Sequence, residues 1–316
     1  MFSTEDLLKR FTEGDRIALS KIITLVENHE TSFPDVLDRL YPRTGKAYRI
    51  GVTGPPGAGK STLVSGLVQR VRADDKLVGV IAVDPSSPFT GGALLGDRIR
   101  MQDIGIDPGV FVRSMATRGS LGGLAEAAGD VADVMDAFGE DVIITETVGV
   151  GQCELDIAEA CYTTVVVIVP ESGDAIQAMK AGLMEIADVI AINKADREGA
   201  DRIARQTQAM LELRGEGNGW SPPVVCTIAS QGDGVSELYE EIEKHRAFQT
   251  ESGLLKKHRR GNVEATVRAI VESEIHRKVW GEQSLNRLHT LVDEVMGGKR
   301  TPRQASAEIL SMIDGR

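Results

Sequence analysis

Only three cysteines, Cys153, Cys161 and Cys226, occur in the 316 residues, and no two of them form a CxxC pair. This excludes a disulfide framework and leaves the three to be read as small buried residues of a reducing compartment. The five histidines, at 29, 245, 258, 276 and 289, are scattered over helix-like segments, away from the cysteines, so no His/Cys metal spacing arises. Basic residues are also outnumbered, 36 Lys and Arg against 47 Asp and Glu, for a net charge of −11. Neutralising a phosphate backbone needs a clustered basic face, so no nucleic-acid partner is expected. Long apolar runs are missing as well. The stretch from Thr163 to Pro170 is of strand length, far below the ~20 residues a membrane helix needs. The opening MFSTEDLLKRF carries acids early and has no signal core, so the expected location is cytoplasmic, without membrane or export.

What is present changes grammar twice along the chain. Over residues 1–45, Leu7, Leu8 and Phe11, then Ile17, Leu19, Ile22, Ile23 and Val26, recur at helical spacing with Gly14-Asp15 as a break. From Tyr48, short β-branched runs alternate with amphipathic segments. The runs are 49–53, 77–84, 111–115, 141–147, 164–169, 189–193 and 224–228, and the helix-like segments are 61–72, 121–138, 174–186, 200–214 and 235–248. Runs this apolar, without period-two alternation, are covered on both faces, which predicts an α/β fold with a mostly parallel sheet flanked by helices. Ligands of such sheets sit beyond the carboxyl ends of the strands. Residues 253–316 return to helix, with Val263, Val267, Ile270 and Val271 on one stripe. The basic run Lys256-Lys257-His258-Arg259-Arg260 reads as a solvated linker between body and tail. The expected domains are therefore 1–45, 46–252 and 253–316.

The chemistry concentrates after four of the strands. Gly54-Pro55-Pro56-Gly57-Ala58-Gly59-Lys60-Ser61, with Thr62 behind it, is a complete GxxxxGK[ST] motif between a strand and a helix, the phosphate loop of a P-loop NTPase. Its glycines let backbone N–H groups wrap a polyphosphate at the positive end of the following helix. Lys60 would bridge the outer phosphates and Ser61 would ligate Mg²⁺. Asn193-Lys194-Ala195-Asp196 ends a later strand, and an NKxD sequence there reads guanine. Asp196 accepts from the base N1–H and amine, whereas adenine would face that carboxylate with an acceptor, a mismatch that discriminates strongly. GTP and GDP are the expected ligands. The run 141–147 delivers Glu146 to the phosphate edge, to hold the Mg²⁺ shell, with Gly149 placed to offer its amide to a γ-phosphate. The run 77–84 ends in Asp84 and leads into a long Pro/Gly/Ser loop carrying Asp97. Both acids are candidates for the metal shell or for positioning the attacking water, and Lys60, Asp97 and Glu146 are the catalytic candidates.

Taken together, the run from Val83 to Met101 and the run Glu146-Thr147-Val148-Gly149-Val150-Gly151-Gln152 resemble the MeaB/ArgK/MMAA family of SIMIBI-class GTPases. The resemblance extends over nearly the whole chain. It implies a GTPase that chaperones an adenosylcobalamin-dependent acyl-CoA mutase, with methylmalonyl-CoA mutase the commonest client, and the cobalamin reached only through the partner. It implies a partner-responsive loop at Gly173, Asp174, Gln177 and Lys180, and a homodimer formed through residues 253–316. No arginine finger is identifiable from the sequence, so slow intrinsic turnover that rises when the partner completes the site is expected. Asp84, Asp97 and Glu146 match the family's acids around Mg²⁺. In the last guanine-contacting loop, Thr227-Ile228-Ala229-Ser230, Ile228 stands where a serine is usual: Ala229 still offers its amide to the base, but the serine hydroxyl is lost. The alternatives are a nickel-delivery GTPase, for which no Cys/His cluster is present, and an ArgK-type kinase or transport ATPase, which Asp196 opposes.

Overall fold

The computed structural model describes residues 3–28, 33–85, 104–117, 123–147, 160–170, 182–214 and 219–314. Contacts divide the chain into two compact units, Met1–Lys256 and Lys257–Arg316.

Among the described residues of the first unit, seven strands form one parallel sheet in the order β3-β2-β4-β1-β5-β6-β7. They are β1 Tyr48–Thr53, β2 Val78–Pro85, β3 Val110–Thr117, β4 Val142–Glu146, β5 Thr163–Ile168, β6 Val189–Asn193 and β7 Val224–Thr227. Every pairing is parallel. Strands β4, β5 and β6 are buried at each residue, the pattern of a sheet covered on both faces. On one face, α4 (Lys60–Arg72) and α8 (Val235–Glu251) bury Leu63, Val64, Leu67, Leu238 and Ile242 against Ile50, Val52, Ile144 and Val165. On the other face, α1 (Thr4–Thr12), α2 (Arg16–Glu27), α3 (Phe33–Leu40) and α5 (Gly123–Phe138) pack Phe11, Leu19, Ile22 and Met135 against Ile81 and Ile143. Further along that face, α6 (Leu183–Ile186) and α7 (Ala200–Arg214) cover Val166 and Ile190. The early helices follow their apolar spacing, and the break falls at Gly14, in a left-handed turn, with Asp15 capping α2 through the Ile17 amide at 2.8 Å. The parallel sheet and its helical layers match expectation. Of the helix expected over 174–186, only Leu183–Ile186 lies among the described residues.

The amino end of the sheet is tied by buried polar groups. Asp136 accepts from the amides of Gly45, Lys46 and Ala47 at 2.7, 3.1 and 3.0 Å, which fixes the chain entering β1. The Tyr48 and Thr163 hydroxyls share a 2.6 Å bond, and Thr163 also meets His245 Nδ1 at 2.9 Å. Asp188 accepts from the Thr164 amide at 2.8 Å and lies 3.4 Å from His245 Nε2. Burial pushes the Asp188 carboxyl up to about 7, with the Thr164 amide opposing. It pushes Glu140, just before β4, up to about 7 as well. Among the described residues, Glu140 Oε2 meets no hydrogen-bond donor.

One expectation is corrected. Cys226 is exposed: it lies on β7, which among the described residues has a neighbouring strand on one side only. Cys161 is buried, and burial raises its thiol to about 12, whereas Cys153 lies outside the described residues. The basic run 256–260 holds the boundary between the two units, as expected of a connection, and it is helical, part of α9, Leu254–Val279; like-charged residues with good helix propensity extend a helix when their side chains reach water.

The second unit contains the rest of α9 with α10 (Glu282–Met296) and α11 (Pro302–Asp314). Leu291 and Ile309 are buried, and Arg287 reaches Glu308 at 2.6 Å while Arg300 reaches Glu294 at 2.6 Å. No residue of α9 is buried, and Val263, Val267, Ile270, Val271 and Ile275 are about half exposed.

Candidate functional site

The order of strands assembles the site. With β1 between β4 and β5, the loop leaving β1 emerges beside the last residue of β4, where Val52 pairs with Glu146. The loop from Gly54 to Gly59 turns through left-handed glycines and delivers Lys60 as the first residue of α4. At two positions only glycine fits. A Cβ on Gly54 would stand 2.1 Å from the Val167 carbonyl oxygen of β5, and one on Gly59 would stand 2.5 Å from Asn193 Nδ2.

The charged and polar groups here are buried and bonded to one another. Lys60 Nζ donates to the carbonyls of Gly54 and Pro55 at 2.8 and 3.0 Å, so the ammonium is held over the loop. Ser61 Oγ donates to Glu146 Oε1 at 2.7 Å, and both side chains are buried. A hydroxyl and a carboxylate in contact are hard oxygen donors of the kind Mg²⁺ takes, one or two from protein and the rest from water and phosphate. The donor set therefore fits the ion. Among the described residues, no group of three or more His, Cys, Asp or Glu comes together to hold a metal by itself.

Asn193 joins the loop that follows β7 to the loop that follows β1. Its Nδ2 donates to the Ala58 carbonyl at 2.8 Å, and its Oδ1 accepts from the Ala229 amide at 3.1 Å and the Thr227 hydroxyl at 3.2 Å. Lys194 turns the chain at a φ of 57°, unusual for a side chain with a Cβ. The turn is fixed by the Ala195 amide on the Thr227 carbonyl at 3.0 Å. Asp196 then stands exposed beyond the turn. The loop from Ile228 to Asp233 closes on itself through the Ile228 amide on the Asp233 carbonyl at 2.9 Å, leaving Ile228 and Ala229 half-buried and Ser230 exposed. Backbone bonds thus hold the loop in which Ile228 stands for serine.

The structure therefore brings together the residues of 54–62, Glu146, Asn193 and Ala229. Of Asp84 only the backbone, at the end of β2, is described. Asp97, Gly149, Gly173, Asp174, Gln177 and Lys180 lie outside the described residues. One feature had no sequence signal. Thr147, directly after Glu146, donates its hydroxyl to that of Thr53 at 2.9 Å, and both side chains are buried.

The model of the family described as methylmalonyl-CoA mutase-associated GTPase MeaB matches residues 19–284. A protein of Pyrococcus horikoshii, named as a candidate GTPase, is 49% identical over 315 residues, 99% of each chain. GTPase ArgK of Escherichia coli is 34% identical over 290 residues, 89% of this chain and 88% of that one. The methylmalonic aciduria type A homolog of Mus musculus is 30% identical over 323 residues, 96% of this chain and 78% of that one. Among solved structures, that of a LAO/AO transport system kinase is similar over 99% of both chains, with a TM-score of 0.74 and 27% identity.

Proposed function

This chain belongs to the MeaB family of GTPases, and on that footing we propose that it is the nucleotide-driven chaperone of an adenosylcobalamin-dependent acyl-CoA mutase. The observation that carries the nucleotide half is Asn193, whose carboxamide binds the phosphate loop at Ala58 and the base loop at Ala229. Base and phosphates of one nucleotide are thereby read by one connected piece of chain. Asp196 would select guanine, with the Ala229 amide on the base oxygen.

In hydrolysis, water attacks the γ-phosphorus and the bond to the β-phosphate oxygen breaks, giving GDP and phosphate. The site stabilises the charge that spreads over the transferring group. Lys60 would exchange its loop carbonyls for β- and γ-phosphate oxygens, and the loop amides would donate to the same group. Ser61 and Glu146 would hold Mg²⁺, which when bound neutralises charge on the β- and γ-phosphates. Asp84, Asp97 and Gly149 are proposed to complete the shell and the γ-phosphate contact.

The mutase half rests on the family, described as methylmalonyl-CoA mutase-associated. Gly173, Asp174, Gln177 and Lys180 are proposed as the loop that answers the partner, and residues 253–316 as the arm of a cytoplasmic homodimer. The half-exposed stripe of α9, which a second copy would cover, supports that arm. Steady-state GTP turnover, measured alone and with an excess of each of several purified adenosylcobalamin mutases, tests the reading. Slow turnover raised by one mutase is expected. Fast turnover that no mutase changes would remove the chaperone role and leave the GTPase.

A further inference from the structure

Strand β4 ends at Glu146, and its pairing with β1 ends at Val52. The ladder is carried one residue further by the Thr147 amide, which donates to the Val52 carbonyl at 3.1 Å. At that level the Thr147 hydroxyl donates to Thr53 Oγ1 at 2.9 Å. Thr53 is the last residue before Gly54, and the two threonines are each 1% exposed. Side chains alternate along a strand. Val52 and Ile144 belong to the core on the α4 face and Ile143 to the core on the opposite face. Glu146 therefore points to the α4 face, where it meets Ser61, and Thr147 points away from it.

A buried hydroxyl is costly unless bonded, and valine would fill the same space without that cost. The bond that Thr147 donates to Thr53, between the first residues beyond the ladder, holds the root of the phosphate loop against the root of the chain that leaves Glu146. We propose that Thr147 is a positioning residue for GTP hydrolysis: through its hydroxyl bond to Thr53 it sets the Glu146 carboxylate against Ser61 and the phosphate loop. The proposal rests on the reading of Ser61 and Glu146 given above. Without the bond the last turn of ladder loosens at the residue carrying the acid, and small misplacements of a catalytic group are expensive in rate.

The test compares Thr147→Val, Thr147→Ser, Thr53→Val and the Val/Val double variant in the full chain. Removing one partner of a buried bond is expected to lower kcat about ten-fold while KM for GTP stays within about two-fold. Thr147→Val should also lose most of the tightening of GDP binding that Mg²⁺ confers, a readout independent of turnover. Thr147→Ser should return both quantities close to the parent. Thr53→Val should match Thr147→Val, and the double variant should be no worse than either, because one bond is lost in each case. Equal impairment in Thr147→Ser and Thr147→Val would overturn the proposal in favour of packing by the methyl group, and additive losses in the double variant would overturn it in favour of separate roles. Should Thr147→Val fail to fold, Thr53→Val removes the same bond from the other strand and decides the matter. Glu146→Gln separates the two readings. Lost turnover there with parental turnover in both valine variants removes the positioning role alone, whereas parental turnover in Glu146→Gln removes the site reading beneath it.

Discussion

At the carboxyl end of the sheet, Lys60, Ser61, Glu146, Thr147 and Asn193 are buried, and each is bonded to a group on another element. At the amino end of the same strands, Tyr48, Thr163 and His245 are just as buried and also joined. There, however, Glu140 and Asp188 have carboxyls that burial holds near 7. The first set is built from groups that can turn toward a ligand's charge, the second from groups that fasten strands and helices. Burial alone thus does not mark a working residue. What separates the ends is whether the bonds can be exchanged for bonds to a phosphate or a base.

On that division, substitutions at the carboxyl end cost turnover with little effect on stability, and those at the amino end change stability with little effect on turnover. The largest effect is expected for Lys60→Ala. It should lower kcat about a thousand-fold, some 4 kcal/mol of transition-state stabilisation, while the melting midpoint of the ligand-free protein hardly moves. A collapse of that midpoint would break the comparison. Next comes Glu140→Gln. The folded-state carboxyl sits near 7 against an ordinary 4.5, so between those values the folded protein holds a proton that the unfolded chain has released. Wild-type stability therefore falls as pH rises through that window and is lowest above it, by about 3 kcal/mol. The glutamine variant should match the parent near pH 4.5 and exceed it above pH 7 in denaturant titrations, with GTP turnover unchanged. A constant difference at every pH would assign the effect to packing.

Asp196→Ala should lower the preference for GDP over ADP about a hundred-fold in competition binding. An unchanged preference would move base selection to the Ile228–Ala229 loop. The smallest effect is expected for Tyr48→Phe, which removes one buried hydroxyl from Thr163. About 1 kcal/mol of stability should be lost and kcat retained, and a larger loss of kcat than of stability would join the two ends into one system.

The sheet was legible because short apolar runs rich in β-branched residues alternate with amphipathic segments, and the phosphate loop because its spacing is contiguous in sequence. The motif placed Asn193 at a strand end but not its bond to Ala58, since that partner lies 135 residues away. The Thr53–Thr147 bond spans 94 residues and left no periodic trace, because a lone threonine at a strand end is also what β-propensity favours. The thiol of Cys226 was misread for a related reason: burial of a strand residue depends on whether its strand has two neighbours, and order in the sheet is not order in the chain. The charges of 256–260 marked the boundary between the units but not its helical conformation, because a like-charged run looks the same in a loop and on a solvated helix.

Asn193 has one consequence for how ligands of different sizes must bind. A single carboxamide is shared between the Ala58 carbonyl and the Ala229 amide, so whatever orders the base pocket also orders part of the phosphate cradle. On the proposed assignment of these loops, the two halves of a nucleotide would bind cooperatively. Guanosine and inorganic diphosphate, each weak alone, should each raise the other's affinity by the same factor, since such coupling is reciprocal.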